Sequence, residues 1–316
     1  MKTSLLFTGF LALAATAFGA DKKIVFVAGN PSHGPGQHEH RAGCLLLQKC
    51  LAQNPGFTSV VISNGWPKDE SVFQGADAII VYADGGGGHP FAKPERLKVI
   101  GELMNKGAGF GALHYGVEVE KNKGGPEFLD WMGGYFEAFW SVNPHWTASY
   151  TNLPVHPVTR GVQPFSTLDE WYYHMRFRDG MKGVTPILSA VPPESTRGKP
   201  GANSSHGGNP EVQAHKGEPE HTMWVAERAN GGRGFGVTGA HFHKNWGNEE
   251  FRRVVLNSIA WIAKAEVPAN GIQSTITPED LAANLDEKGQ RKREASTATN
   301  TAPKIEPFVS PVLPGK

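Results

Sequence analysis

Short apolar strands alternate with helices along this chain, and this alternation constrains the fold more than any other feature of the sequence. Residues 23–29 form an apolar run that ends in glycine, which is typical of a buried parallel strand. Three more such runs follow, separated by helical periodicity. The predicted strands are 23–29, 58–63, 77–82 and 109–113, and the predicted helices are 41–53 and 93–106. This spacing predicts an α/β fold with a doubly wound, mostly parallel sheet.

The second half of the sequence completes the sheet after an insertion and a long loop. Residues 124–157 are rich in aromatic side chains and predict an insertion over the sheet. Residues 192–220 are rich in glycine, proline and serine and predict a long loop. Two further strands are predicted at 222–228 and 234–239, on either side of an Asn-Gly-Gly turn. An amphipathic helix at 249–264 then closes the domain.

The two ends of the chain differ from this pattern. Lys2 and the apolar run at residues 5–18, followed by small residues, predict a signal peptide over residues 1–20. The run is short for a membrane-spanning helix, and an uncleaved anchor is the alternative. Residues 21–266 then form one α/β domain, and residues 267–316 form a Pro/Thr/Ala-rich tail with one short helix. We expect an exported protein, periplasmic or secreted, with no stable membrane insertion after signal cleavage.

Composition argues against several classes of partner. The 31 lysine and arginine residues balance 30 acidic residues to a net charge of +1, so no basic surface for nucleic acid is predicted. The glycine run 85–88 lacks the Lys-Ser/Thr pair of a phosphate-binding loop, and no nucleotide cofactor is expected. Cys44 and Cys50 lie six residues apart on one predicted helix, so they point to different faces. We expect two buried thiols and no disulfide.

Histidine lies in four of the loops that adjoin the predicted strands. The loop residues of interest are His33, His38, Glu39 and His40 after the first strand, Asp84 and His89 after the third, His114 and Glu118 after the fourth, and His241 and His243 before the last helix. Ligands of open α/β sheets bind outside the carboxyl ends of the strands. We therefore expect these loops to converge on one functional site.

Imidazole is the commonest metal ligand and the usual acid or base near neutral pH. His241 and His243 have the i, i+2 spacing that aims two rings the same way from an extended segment. A catalytic metal site requires three or four such groups and one open position. Zinc suits imidazole combined with one carboxylate, and manganese or iron is also compatible. The alternative is that these histidines bind backbone carbonyls or sugar hydroxyls, and the residues alone leave both open.

Two segments place polar groups in special settings. His114, in GALHYG, occupies a sharp turn at the end of a strand, as the active residue does in nucleophile-elbow enzymes. An imidazole in that position suits a base or a metal ligand. Glu170 lies among the aromatic residues of DEWYYH, where burial would raise its carboxyl pKa and suit it to proton transfer. Asp169 suits a cap or an ion pair with Arg176 or Arg178 equally well.

Taken in order, these motifs resemble the ThuA-like (trehalose-utilisation) family, a branch of the class I glutamine amidotransferase-like fold. The resemblance covers residues 23–264 and rests on ADGGGGHP, GALHYG, HPVTRGV, DEWYYHMRF, GRGFGVTGAHFHKNW and FRRVVLNSIAWIAK. SHGPGQHEHRAGCLLLQKCL and WSVNPHW resemble a subgroup found in secreted proteins. The resemblance implies a flavodoxin-like sheet and a role in sugar catabolism, notably of trehalose and 3-keto sugars.

The resemblance also implies roles for particular residues. Some relatives resemble zinc proteins, which implies a metal site at His89, His114, Glu170 and His241, with the three histidines as the expected ligands. Glu170, His243 and His174 are then the expected proton-transfer groups, and the two histidines are also alternative ligands. True class I amidotransferases have cysteine at the elbow, where this chain has His114. Glutaminase activity is therefore not expected.

The leading hypothesis is an exported, metal-assisted hydrolase, lyase or isomerase that acts on a sugar or keto sugar. The expected substrate-binding residues are Asp84, Trp140, Trp146 and Tyr172, with Trp131 and Trp171 as further stacking faces. The alternative is a non-catalytic carbohydrate-binding or accessory protein that uses the same aromatic side chains. Both hypotheses predict a small-molecule or oligosaccharide ligand.

Overall fold

A seven-stranded sheet lies at the centre of the computed structural model, which describes residues 21–201 and 204–288. The predicted signal peptide at 1–20 and the tail beyond residue 288 lie outside the described residues. In chain order the strands are β1 (Lys22–Ala28), β2 (Phe57–Ile62), β3 (Ala78–Tyr82), β4 (Gly109–Leu113), β5 (Gly134–Tyr135), β6 (His145–Tyr150), β7 (Phe165–Glu170), β8 (Arg176–Phe177), β9 (Val184–Ala190), β10 (Glu220–Glu227) and β11 (Arg233–Val237). The helices are α1 (His40–Leu51), α2 (Pro94–Asn105), α3 (Gly125–Met132), α4 (Pro210–Ala214), α5 (Glu249–Ile262) and α6 (Pro278–Ala282).

The strand order of the central sheet is β2-β1-β3-β4-β11-β10-β9. The pairs from β2 to β11 are parallel, whereas β10 runs antiparallel to both β11 and β9. The sheet is therefore mostly parallel with an antiparallel edge, as the alternation of strands and helices predicts. The predicted strands and helices of the sheet domain are confirmed to within two residues at each end.

Helices cover both faces of the sheet, and a separate hydrophobic core lies under each layer. Ile24 and Phe26 of β1 face the core that contains the buried residues of α1 and α5. Val25 and Val27 face the opposite core, with residues of α2 and α3. Alternate residues of a strand point to opposite faces, so a strand buried on both sides must be apolar throughout. This confirms the doubly wound architecture.

The direction of winding reverses next to β1. The chain passes from β1 to β2 on one side, and β3 then pairs with β1 on the other side. The loops that leave the carboxyl ends of β1 and β3 therefore diverge and open a crevice, which is where open α/β sheets bind ligands. The histidine-bearing loops lie at this edge.

The aromatic-rich insertion lies beside the sheet as two small antiparallel pairs. β6 pairs with β7 over six residue pairs, from His145 opposite Glu170 to Tyr150 opposite Phe165. β5 pairs with β8. The predicted loop at 192–220 contains the short helix α4 and one 3₁₀ turn, Glu194–Arg197. The hairpin of β6 and β7 brings the end of β7 to the histidine-bearing edge.

Both cysteines are free and buried, as predicted. Cys44 and Cys50 belong to the core under α1. Burial raises the pKa of the Cys50 thiol, and the same cause raises that of Cys44, so both remain protonated. Within the described residues, none of the helices combines the length and the apolar character that a membrane span requires.

Candidate metal centre

Four side chains from distant parts of the chain meet at the carboxyl-terminal edge of the sheet. His38 lies just before α1, His114 follows β4, Glu170 ends β7, and His241 lies between β11 and α5. Each side chain offers one nitrogen or oxygen atom, and the four atoms all lie within 4.8 Å of one another. We call this group of four residues the histidine cluster.

The distances within the histidine cluster are those of a small coordination shell. His38 Nε2 lies 3.1 Å from His114 Nε2 and 3.0 Å from His241 Nδ1. The separation between His114 Nε2 and His241 Nδ1 is 3.3 Å. Glu170 Oε2 lies 2.9 Å from His241 Nδ1 and 3.5 Å from His114 Nε2. Ligand atoms that share one metal ion at bond lengths of about 2 Å are roughly 3.3 Å apart, so the spacing is compatible with a bound metal ion.

Hydrogen bonds at the far side of two rings determine which nitrogen atoms carry protons. His114 Nδ1 lies 2.7 Å from the carbonyl oxygen of Thr238, which can only accept, so Nδ1 carries the proton. His38 Nδ1 donates in the same way to Asp84 Oδ1 at 2.8 Å. In their neutral forms both rings therefore present an unprotonated Nε2 to the other. Two lone pairs at 3.1 Å repel, and a cation between them removes that repulsion.

Protonation of His38 could also relieve the repulsion between the two facing nitrogen atoms, but it is unfavourable at neutral pH. Burial lowers the pKa of His38 far below its usual value, and the charges of His114, His33, His40 and His241 lower it further. Burial alone would raise the pKa of Glu170, but its contacts with the His114 and His241 rings outweigh this effect, and the pKa is lowered. The histidine cluster therefore offers imidazole nitrogens and an ionised carboxylate, a donor set that suits a divalent transition metal.

The backbone is strained where two of the four residues leave the sheet edge. His38 has φ of 46° and His114 has φ of 52°, in the left-handed region that residues with a Cβ rarely adopt. The sharp turn predicted at His114 is therefore present. Strain of this kind persists where the surrounding structure over-determines it, and it is common at functional sites.

Asp169 holds the loop that carries His241. Its carboxylate is completely buried and accepts hydrogen bonds from the backbone N–H groups of Ala240, at 2.7 Å, and His241, at 3.0 Å. It also accepts from the N–H of Glu170 and from the side-chain amide of Asn245, both at 2.8 Å. One side chain therefore connects the backbone of two members of the histidine cluster. The structure shows a loop clamp in place of the predicted cap or ion pair with arginine.

The rim of the histidine cluster carries polar and titratable groups. The ring of His33, whose side chain is 40% exposed, stacks on His38 with ring centroids 3.5 Å apart. Asn143 Nδ2 donates to Glu170 Oε1 at 3.2 Å. Asp84, beneath His38, also lines a cleft of about 400 Å³ between the ends of β1 and β3. A small molecule in this cleft would lie next to the carboxylate that orients His38.

Five of the residues predicted from sequence lie at or next to this centre. They are the cluster members His114, His241 and Glu170, together with Tyr172 and Asp84. The Tyr172 hydroxyl lies 3.3 Å from His114 Nε2 and 3.4 Å from Glu170 Oε2. Burial raises the pKa of Tyr172 well above its usual value, so the hydroxyl remains a hydrogen-bond donor.

The three other predicted histidines lie apart from the cluster. His89 Nε2 donates to the carbonyl of Gly116 at 3.1 Å, and its Nδ1 accepts from the N–H of Phe91 at 3.1 Å, so both nitrogens are occupied. His243 Nε2 donates to the carbonyl of Leu281. His174 packs against Trp140, with ring centroids 4.7 Å apart.

The cluster contains His38, whereas the expected ligand set contains His89. The sequence also offered His38 as a candidate, because it lies in one of the four histidine-bearing loops. The choice between His38 and His89 depends on ring orientation, which strand and helix patterns do not encode.

The predicted tryptophan faces are not available at this edge. Trp146 is 4% exposed and its Nε1 donates to the carbonyl of Trp171, which is itself buried. Trp140 is covered on one side by His174 and on the other by the guanidinium of Arg176, 3.5 Å from the ring centroid. Trp131 is also buried. These tryptophans therefore contribute to packing and do not present an open face to a ligand at the histidine-bearing edge.

The glycine run also has a packing role. A Cβ on Gly85 would lie 2.3 Å from the carbonyl oxygen of Tyr115, so only glycine allows the two loops to approach this closely. Gly87 and Gly88, in contrast, line the cleft beside Asp84. A ligand in the cleft could therefore approach the backbone of Gly87 and Gly88, as predicted. Gly85 instead allows two loops to pack closely together.

His89 is expected to make stability depend on pH. Burial lowers the pKa of His89 from 6.5 to about 4 in the folded protein. As the pH falls, the imidazole is therefore protonated in the unfolded chain before it is protonated in the folded protein. The contribution of His89 to the free energy of unfolding is complete above pH 6.5 and is lost between pH 6.5 and about 4. The shift corresponds to about 3 kcal/mol. Urea unfolding from pH 7 to pH 4 should show a shallower decline for His89→Gln than for wild type, and equal declines would contradict this role.

Comparisons with known proteins agree with the architecture. A family model named ThuA and described as trehalose utilisation matches residues 23–262. A ThuA-like protein from Bacteroides uniformis ATCC 8492 is similar in structure, with 16% identity and a TM-score of 0.55, over 80% of this chain and 95% of that one. A ThuA-like protein from Parabacteroides merdae ATCC 43184 has 13% identity and a TM-score of 0.54, over 83% and 99% of the two chains. At such identities the likeness concerns the fold. No curated protein gives a significant match.

Proposed function

The chain belongs to the ThuA family, described as trehalose utilisation, and from this premise we propose that it is a metal-dependent enzyme of carbohydrate catabolism. The proposed ligands are His38, His114, His241 and Glu170. The observation that carries the proposal is the approach of the Nε2 atoms of His38 and His114 to 3.1 Å, while the Nδ1 atom of each ring is bound to an oxygen acceptor. Zinc is the proposed ion because three imidazoles and one carboxylate are its usual donors.

When bound, zinc would supply a Lewis acid that polarises a carbonyl or hydroxyl oxygen, and this requires a fifth coordination position beside the four protein ligands. The surrounding residues perform the remaining tasks. Asp84 and the carbonyl of Thr238 fix the orientation of the His38 and His114 rings. The Tyr172 hydroxyl donates to Glu170 Oε2 at 3.4 Å and so orients the carboxylate.

His33 is the proposed proton-transfer residue at the rim. Its Nδ1 lies 3.0 Å from Ser32 Oγ, and that hydroxyl donates to Asp84 Oδ1 at 2.8 Å. Burial lowers the pKa of His33, and the carboxylate of Asp84 partly opposes this effect. The partly exposed ring is therefore neutral near pH 7 and can accept a proton from a substrate bound at the rim of the histidine cluster.

The proposed substrate is a sugar or a keto sugar, and the reaction is a hydrolysis, elimination or isomerisation. A sugar presents the neighbouring hydroxyl and carbonyl oxygens that such a centre can polarise. The alternative is a non-catalytic carbohydrate-binding protein. Trp131, Trp146 and Trp171 are buried, so neither function can use them as stacking faces, whereas Trp66 lines the cleft beside Asp84.

We also propose that the protein is exported. The support is the signal-peptide pattern at residues 1–20, which lies outside the described residues. Cleavage in the segment 17–20 would leave the domain intact, because β1 begins at Lys22. The mature amino terminus of protein from the native host's periplasm or medium would test this directly.

Turnover of sugars by the zinc-loaded protein tests the enzymatic proposal. The protein is incubated with trehalose, glucose and their 3-keto derivatives, and products are followed by NMR. We expect at least one substrate to be converted, with activity lost on chelation and restored by zinc. Glu170→Gln should reduce the rate roughly 100-fold or more.

His174→Gln is the matched control, because His174 was also a predicted proton-transfer residue but packs against Trp140, apart from the cluster. It should keep near wild-type activity. Tight glycan binding by a protein that takes up no metal and converts no sugar would support the carbohydrate-binding alternative instead.

A further inference from the structure

The described residues beyond the family match pack against the histidine-bearing edge. The ThuA model ends at residue 262, and the chain continues through α6 to residue 288. We call residues 277–288 the C-terminal strap. Asn284 accepts a hydrogen bond from Arg41 through its carbonyl, and the Leu281 carbonyl accepts from His243 Nε2 at 2.9 Å. The strap therefore touches the start of α1 and the segment that follows His241.

Lys288 is buried against the loop that carries His38. Its side chain is 5% exposed, and its ammonium group lies 3.2 Å from Glu39 Oε1, whose side chain is 1% exposed. The same ammonium donates to the carbonyl oxygens of Gln37 and of His38, the latter at 3.2 Å. A lysine is rarely buried to this degree unless its charge is paired. Here it is bound to the backbone of a proposed metal ligand.

Glu39 extends this contact in both directions. Glu39 Oε1 accepts from the N–H of Gly36 at 2.9 Å, and Oε2 accepts from the N–H of Asp286 at 2.8 Å. The His38 N–H donates to the carbonyl of His241 at 3.0 Å, which joins the two ligand-bearing loops. Residues 36–40 are therefore held from the strap on one side and from His241 on the other.

From this geometry we propose that Lys288, with Glu39, is a positioning residue of the metal centre. The pair holds the His38 backbone at its left-handed φ of 46° and so aims Nε2 at the other ligands. The inference rests on the proposed metal function. It adds that part of the ligand geometry comes from a segment outside the matched family region, about 250 residues from His38 in sequence.

The experiment compares Lys288→Met with Lys49→Met in the full-length protein. Lys49 also pairs with the strap, through Asp280 of α6. Its side chain is 53% exposed, and it lies in the last turn of α1, at the opposite end of that helix from the His38 loop. Three quantities are measured in each variant. They are the zinc dissociation constant by chelator competition, the visible spectrum of the cobalt-substituted protein, and amide hydrogen exchange of residues 36–40 without metal.

Lys288→Met is expected to weaken zinc binding about 10-fold, to change the cobalt ligand-field bands, and to accelerate exchange in residues 36–40. Lys49→Met should leave zinc affinity and the cobalt spectrum close to wild type. If Lys288→Met does not fold, the double variant Lys288→Met/Glu39→Gln removes both buried charges and is expected to show the same changes.

Wild-type affinity, spectrum and exchange in the folded Lys288 variant would overturn the proposal, as would equal changes in Lys49→Met. The failure of the proposed function looks different. A wild-type protein that takes up no zinc would refute the metal centre, while hydrogen exchange in the metal-free protein would still decide whether Lys288 holds residues 36–40.

Discussion

Replacing His114 and His241 together by alanine is expected to abolish metal binding. Wild type should contain about one zinc per chain, because zinc binding at four protein ligands is worth roughly 10–16 kcal/mol. Each ligand then contributes about 3 kcal/mol, and the loss of two weakens binding roughly 10,000-fold. Inductively coupled plasma mass spectrometry of the purified proteins should show less than about a tenth of the wild-type metal in the double variant.

His89→Gln is a control that distinguishes two ligand sets. The sequence-based set contains His89, and the set seen in the structure contains His38 instead. The resemblance to the ThuA family implies His89 as a ligand, whereas in the structure both of its ring nitrogens bind the chain itself. The His89 variant should therefore keep the wild-type zinc affinity, and a His38→Ala variant should bind zinc roughly 100-fold more weakly. The reverse result would refute the proposed ligand set. Absence of metal from wild type, even after incubation with zinc, manganese or iron, would refute the metal centre.

Asp169→Ala is expected to cause a large loss of stability. The substitution leaves the backbone N–H groups of Ala240, His241 and Glu170 and the amide of Asn245 without their buried acceptor. Each unsatisfied buried donor costs about 1–3 kcal/mol, and partial relaxation leaves a net loss of about 4 kcal/mol. Urea unfolding of the metal-free protein measures this loss. Zinc affinity should also fall, because the loop of His241 is no longer held.

Asp69→Ala provides the matched comparison for this second prediction. Asp69 also accepts from a backbone N–H and a side chain, both of Ser71, but it is exposed at the start of a 3₁₀ turn. Water can replace the lost acceptor there, so only a small shift of the unfolding midpoint is expected. A midpoint for Asp169→Ala as close to wild type as that of Asp69→Ala would show that the clamp contributes little.

The sheet and its helices were predictable because their signals are local and periodic. The apolar runs of β1, β3 and β4 are buried on both faces, and a strand in that position requires an unbroken apolar sequence. Helical periodicity located α1, α2 and α5 between the strands or after the last of them. The connection lengths then require parallel pairing through helical crossovers.

The general position of the site was also predictable, but the identity of all its residues was not. Parallel strands bring their carboxyl ends to one edge, so histidines that follow several strands must approach one another. His114 and His241 could be chosen on that basis. Which ring of the other loops turns inwards depends on single backbone angles and on hydrogen bonds, such as those that occupy His89 and orient His38. No periodic pattern reports them.

The sequence by itself determined the α/β class, the approximate helices and strands, and the edge of the sheet where polar side chains collect. Only the tertiary structure decided that His38 and not His89 joins the cluster, that Asp169 clamps the loop of His241, and that Lys288 reaches the backbone of His38. The physical reason is range. Secondary structure follows from neighbouring residues, whereas these contacts join residues far apart in the chain and exist only once the sheet has formed.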